Sequence, residues 1–195
     1  MHQPGSEGGE LLRRARAGDG RAFEDLARES EAVLYRHVLR IVGGAAEAED
    51  VVQDALLSAW RSLASFQGGS FRAWLFRIAT NRSIDLIRAR RRRGELPLDP
   101  PEDEEVAWAE PVAPGPDPVE IASQAEAVAV VEEALRGVPA EQRAALLLRD
   151  VEGFSYEEIA RITAVEIGTV KSRIHRARTA VRNVLVQRGW RSSAG

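Results

Sequence analysis

Apolar residues recur at three- and four-residue spacing through most of the chain, and nowhere is the strict alternation of a half-buried strand sustained. A short helix over residues 10–17 ends at Gly18, and Asp19 can cap the next, in which Phe23, Leu26, Leu34, Val38 and Ile41 mark an inner face that stops at Gly43 and Gly44. Over 47–64, Val52, Leu56, Ala59, Trp60 and Leu63 form one stripe, with Val51 and Ala55 beside it. Residues 65–70 read as a loop, because Gly68 and Gly69 permit backbone conformations that other residues resist. A helix over 71–93 follows, with Phe71, Trp74, Leu75, Ile78 and Leu86 expected inside. Helical spacing resumes over 119–135 through Ile121, Val128, Val131 and Leu135, and Gly137, Val138 and Pro139 break it. Residues 140–151 turn Ala144, Leu147 and Leu148 inward and end at Gly153. Ser155 with Glu158 three positions on is a capping box that opens a short helix burying Ile159 and Ile162. A last helix, begun near Thr169 and fading at Gly189, places Val170, Ile174, Ala177 and Val181 on one face. The expected fold class is all-α, with two small helical domains, 10–93 and 119–189, joined by a flexible acidic, proline-rich linker over 94–118.

Charge adds polarity to these helices. The 195 residues carry a net charge of −3, which by itself argues weakly against a polyanion partner, but the charges are segregated. Residues 94–118 hold seven prolines, eight acids and no Lys or Arg, the composition of a chain that cannot collapse. Trp108 within it is either incidental or a small docking anchor. By contrast 71–93 is rich in arginine with Asp85 as its one acid, which favours phosphate binding over a solvated face; the run Arg88, Arg90, Arg91, Arg92 and Arg93 also fits a basic tail or a localisation signal. Trp74 among those arginines suits the core or a stacking role on an unpaired base. On the 47–64 helix, Glu49, Asp50, Gln53, Asp54, Leu57 and Arg61 lie away from the stripe, an acidic face with an apolar residue in it, either solvated or shaped for a basic partner. In the last helix Lys171, Arg173, Arg176 and Arg178 occupy the surface left by the apolar face. Two short helices joined over 163–168 follow helix-turn-helix grammar, in which the second enters the major groove; the alternative is a charged, solvated helix of an ordinary bundle.

Catalytic chemistry does not emerge. Absence of Cys excludes disulfides, thiolate metal sites and cysteine nucleophiles. The histidines His2, His37 and His175 make no H-x-x-x-H or H-E-x-x-H pairing, and no phosphate-cradling glycine loop follows a strand. The chain is expected not to be an enzyme and to need no cofactor or metal. Without a basic, then apolar N-terminal segment or a membrane-length apolar run, it is expected in the cytoplasm with no membrane insertion.

Two blocks of the sequence resemble the extracytoplasmic-function sigma factors, the smallest members of the sigma-70 class of bacterial RNA polymerase. Ala48, Glu49, Asp50, Val51, Val52, Gln53 and Asp54 through Trp60, then 71–88 from Phe71, Arg72, Ala73 and Trp74 to Asn81, Arg82, Asp85 and Arg88, resemble sigma region two. Val138, Pro139, Glu141 and Arg143, then Ser155, Tyr156, Glu157, Glu158, Ile159 and Ala160, then Gly168, Thr169, Val170, Lys171, Ser172 and Arg173, resemble region four. Val165, Glu166 and Ile167 depart from the usual apolar turn. The resemblance implies a transcription initiation factor whose partners are RNA polymerase core, through the beta-prime and beta subunits, promoter DNA and an anti-sigma factor. It implies that Glu49, Asp50, Gln53, Asp54, Leu57 and Arg61 dock on the beta-prime clamp helices. It assigns Phe66, Ser70, Phe71, Trp74, Arg77, Asn81, Arg82, Arg88 and Arg91 to the minus-10 element, with the loop 66–71 capturing an extruded base. It assigns Thr169, Lys171, Ser172, Arg173, His175, Arg176 and Arg178 to the minus-35 duplex. Fully extended, the linker reaches on the order of 85 Å at ~3.4 Å per residue, similar to two and a half turns of duplex at ~34 Å each. A competing reading is a helix-turn-helix repressor or activator that acts without polymerase core.

Overall fold

The computed structural model describes residues 4–66, 68–96 and 121–188. Among them every regular element is helical: α1 (Pro4–Arg16), α2 (Gly20–Val42), α3 (Ala45–Ser62), α4 (Phe71–Arg92), α5 (Ile121–Arg136), α6 (Ala140–Leu146), α7 (Tyr156–Thr163) and α8 (Ile167–Gln187). A 3₁₀ turn at Leu63–Ser65 follows α3, and a π turn at Leu147–Val151 follows α6. The chain divides into two compact units, Met1–Leu86 and Ile87–Gly195, so that the division falls within α4. Most of the proposed linker, with Trp108, lies outside the described residues.

In the first unit the expected punctuation is present. Asp19 caps α2 by accepting from the Ala22 amide at 3.1 Å, and Gly43 ends it in the left-handed region at φ 86°. Small residues let α2 and α3 approach: Ala48, Val51, Val52, Ala55 and Ala59 are the buried positions of α3. An aromatic cluster closes the end of the unit. Phe23 of α2 meets Trp60 of α3 at 5.3 Å and Phe71 of α4 at 6.1 Å between ring centroids, and Phe66 and Trp74 stack beside Phe71.

The inner face of α4 differs from the expected one. Leu75, Phe76, Ala79, Thr80, Ser83, Ile84 and Ile87 are buried, whereas Phe71, Trp74, Ile78 and Leu86 are half-buried. Hydropathy misplaces this face because two of its members are hydroxyls whose hydrogen bonds are met internally. Ser83 Oγ donates to the Ala79 carbonyl at 2.8 Å, and Thr80 Oγ1 lies 3.0 Å from His37 Nε2. His37 is fully enclosed, its ring 5.1 Å from that of Phe76.

In the second unit α8 packs on α5, α6 and α7. Helix α6 does not continue to Val151 as expected. The ladder widens into the π turn, which buries Leu147 and Leu148 together while Asp150 and Val151 stay exposed. Arg143, 6% exposed, donates from Nη1 to the Leu135 carbonyl at 3.0 Å. Burial pushes its pKa down to about 10, the Arg91 charge acting in the same direction, so it stays a cation at neutral pH.

Burial also pushes the His37 pKa down to about 3, with the Arg40 and Arg72 charges contributing. The unfolded chain binds a proton near pH 6.5 that the folded chain refuses until about pH 3. Stability due to neutral His37 is therefore full above pH 6.5 and is lost as pH falls through that window, by up to about 1.4 kcal/mol per pH unit. Urea unfolding followed by tryptophan fluorescence should show wild type losing about 1 kcal/mol more than His37→Gln between pH 6 and pH 5; equal losses would mean that His37 is not held neutral.

Candidate nucleic-acid and partner-docking surfaces

Because α3 buries a narrow stripe of small residues, the rest of its circumference faces outward. Glu49, Asp50, Gln53, Asp54, Leu57 and Arg61 are all exposed, and Leu57, at 52%, is one of four large apolar side chains left in solvent among the described residues. Arg61 lies one turn past Leu57 and two past Asp54. The ridge is thus acidic over its first two turns, with an apolar centre and a cation at the far end. On one flank a cleft of about 530 Å³ opens towards α4, lined by Glu47, Asp50, Asp54, Arg82 and Asp85 over Val51 and Leu86.

The loop after α3 is held from both ends. Phe66 is only 4% exposed, its ring 5.1 Å from Trp74 and 6.3 Å from Phe71. It anchors the start of the loop, its ring enclosed by its aromatic neighbours rather than open to solvent. Ser70 Oγ accepts from the Ala73 amide at 3.1 Å and so caps α4. Between them Gly68 and Gly69 adopt φ of 99° and 92°, exposed and inaccessible to most other residues, which sets the loop's outward bend; Gln67 lies outside the described residues.

Along α4, Trp74, Arg77 and Asn81 stand at i, i+3 and i+7 on one side, with Arg82 next to it. Arg77 is exposed, and Trp74, Asn81 and Arg82 are half-exposed. Arg82 turns back to α3, its Nη1 2.9 Å from Asp54 Oδ2. In the last turns Arg88 donates to Glu141 at 2.7 Å, within the second unit, and Arg93 and Arg90 both meet Glu95. Arg91 is half-buried. The arginine run is therefore partly engaged by carboxylates rather than uniformly presented.

The helix-turn-helix forms as its sequence implies. Ser155 Oγ accepts from the Glu158 amide at 3.2 Å while the Glu158 carboxylate accepts from the Ser155 amide at 2.9 Å, satisfying two donors at the start of α7. Ala164 ends α7 in the left-handed region at φ 56°, and α8 begins three residues later. Val170, Ile174 and Ala177 are buried, leaving Thr169, Lys171, Ser172, Arg173, His175 and Arg176 half-exposed. Ser172 Oγ donates to the Thr169 carbonyl at 2.9 Å. Arg178 makes a paired contact with Asp150, 3.0 and 2.6 Å, which raises the pKa of its guanidinium and fastens α8 to the π turn.

Sequence reasoning missed two residues at this surface. Arg149 Cζ lies 4.8 Å from the Tyr156 ring centroid and Lys171 Nζ lies 5.7 Å from the same centroid, so one aromatic ring gathers two cations. Arg149 Nη1 also donates to the Phe154 carbonyl at 3.0 Å. The π turn that brings Arg149 over Tyr156 leaves no hydropathic trace, although an Arg seven residues before Tyr156 was visible in the sequence.

Two family models match this chain: Sigma-70 region 2 over residues 26–93 and Sigma-70, region 4 over residues 129–181. The ECF RNA polymerase sigma factor SigE of Mycolicibacterium smegmatis is 38% identical over 167 residues, covering 85% of this chain; the chain spans 62% of that protein's length. The RNA polymerase sigma-H factor of Pseudomonas aeruginosa is 36% identical over 184 residues, 90% of this chain and 92% of the relative. Among solved structures, the sigma factor RpoE in complex with the anti-sigma factor NepR from Bartonella quintana superposes with a TM-score of 0.62 at 31% identity, covering 84% of this chain and 96% of the other.

The α7–α8 turn carries the one left-handed non-glycine residue among the described residues. Ala164→Gly removes a Cβ that the left-handed region disfavours by roughly 1–2 kcal/mol, offset in part by greater freedom of the unfolded chain. The second unit should gain about 0.5–1 kcal/mol in urea unfolding. A loss of stability in that variant would place the turn outside the left-handed region.

Proposed function

The chain belongs to the ECF RNA polymerase sigma factors, and from that membership we infer that it serves as a transcription initiation factor, binding RNA polymerase core and directing it to specific promoters. The observation that carries this reading is the pairing of an exposed acidic ridge on α3 with basic faces on α4 and α8 in one chain, in the order of the two matched regions. Residues 10–93 act on core and the minus-10 element, residues 119–189 act on the minus-35 element, and 94–118 tether them. The initiation step takes place in the cytoplasm, requires no chemistry from this chain's own side chains, and is open to an anti-sigma factor of the kind named for the Bartonella quintana structure.

On α3, Glu49, Asp50, Gln53, Asp54, Leu57 and Arg61 meet the beta-prime clamp. Their exposure beside a packed stripe supports this, since Leu57 supplies an apolar anchor and the carboxylates steer a basic partner. On α4, Arg77, Asn81 and Arg82 follow the opened strand, while Phe71 and Trp74 stand beside the loop that receives an extruded base. Opening DNA costs a few kcal/mol per unstacked base, and contacts to the extruded base offset that cost. Arg88 and Arg91 hold backbone.

On α8, Thr169, Lys171, Ser172, Arg173, His175 and Arg176 line the groove-facing side. Arg149 and Tyr156 join them as the support that aims Lys171 at a phosphate, and Arg178 contributes chiefly through its grip on Asp150. A repressor acting alone would have no use for the α3 ridge. Addition of the purified protein to polymerase core lacking any sigma should yield promoter-specific initiation; no initiation at any promoter would favour the repressor reading.

Arginines on α8 should differ in kind from those after α4. A bidentate Arg to guanine gives ~1–3 kcal/mol of discrimination, and a phosphate contact gives none. At least one of Arg173→Ala and Arg176→Ala should therefore relax the preference for specific over scrambled minus-35 duplex. Arg91→Ala should instead weaken all promoters alike and lower the salt slope by about one contact. Competition at two salt concentrations reads both effects. If Arg173→Ala and Arg176→Ala each weaken both duplexes equally, α8 only clamps phosphates.

A further inference from the structure

Two surfaces assigned above to different partners share one ion pair. Arg82 leaves the strand-facing side of α4 and crosses the cleft to α3, where its Nη1 lies 2.9 Å from Asp54 Oδ2. The side chains are 40% and 64% exposed, so the contact sits at the cleft mouth, reachable by another molecule. Glu47, Asp50 and Asp85 line the same cleft. Arg82 is thus drawn by the α3 carboxylates away from the direction in which Arg77 and Asn81 extend.

We propose that the Asp54–Arg82 pair is an intramolecular latch that couples docking on polymerase core to capture of the minus-10 strand. In the free protein Asp54 holds Arg82 against the docking ridge. A cationic group of the polymerase that engages Asp54 neutralises the carboxylate and repels the guanidinium beside it, and Arg82 swings to the strand-facing side of α4. The proposal rests on the reading of α3 as the docking face and α4 as the strand face.

Its size is bounded by the exposure of the pair. Solvent-exposed ion pairs contribute little, and a partner that must break one loses about two- to five-fold in affinity. By reciprocity, strand binding that removes Arg82 from Asp54 strengthens docking by the same factor. The latch is therefore a modest bias that disfavours promoter contact by the free chain and rewards assembly in order.

The test is a double-mutant cycle on the affinity of the full-length chain for polymerase core, with no DNA present. Arg82→Ala should tighten core binding about two- to five-fold by leaving Asp54 uncontested. Arg77→Ala removes the same charge from the same helix without touching Asp54 and should give less. In an Asp54→Asn background the gain from Arg82→Ala should fall to that of Arg77→Ala. A gain equal to that of Arg77→Ala in the wild-type background, or one that survives Asp54→Asn, overturns the latch while leaving the docking face intact. If Asp54→Asn also leaves core affinity unchanged, the docking assignment fails with it.

Discussion

The packing of Phe23 against Trp60 and Phe71 is the contact on which the first unit's surfaces depend. Trp60 lies near the end of α3 and Phe71 opens α4, so a single ring of α2 bridges the two helices. Phe66 and Trp74 extend the cluster to the loop between them. Each aromatic pair contributes about 0.5–1.5 kcal/mol beyond its buried area. Loss of any of these rings would disturb the packing of α3, the loop and α4 together.

Charge is then distributed by what each helix leaves unburied. Helix α3 buries mainly Ala and Val and leaves its carboxylates outside; α8 buries Val170, Ile174 and Ala177 and leaves cations. Structural ion pairs use part of that charge. Asp150 takes Arg178, Glu141 takes Arg88 and Glu95 takes Arg93. The exposed pairs contribute little to stability individually; their effect is on where guanidinium groups point.

Local signals were legible in the sequence. The capping box at Ser155 and Glu158, the Asp19 cap, the Gly43 stop and the Val170, Ile174 and Ala177 part of the α8 face depend on residues within one or two turns and appear as the spacing implies, while Val181, also expected there, is half-buried. Features set by distant residues were not. The inner face of α4 includes Thr80 and Ser83 because His37, 43 positions earlier than Thr80, supplies a hydrogen-bond partner that hydropathy cannot register. The enclosure of Phe66 by Trp74 and Phe71 is likewise set by residues across the loop. The pairs Asp54–Arg82 and Asp150–Arg178 each bridge 28 positions, and the π turn that aims Arg149 and Asp150 has no periodic signature. The contacts around the candidate residues were thus not legible as a set of partners.

The central claim is that docking and duplex reading reside on separate faces with opposite charge. It is tested most directly by reversing one charge on the ridge and measuring both activities on the same protein. Asp50→Arg in the full-length chain should weaken binding to polymerase core at least about ten-fold, equivalent to about 1.4 kcal/mol, while minus-35 duplex affinity stays within about two-fold of wild type. Core binding as tight as that of wild type would contradict the account.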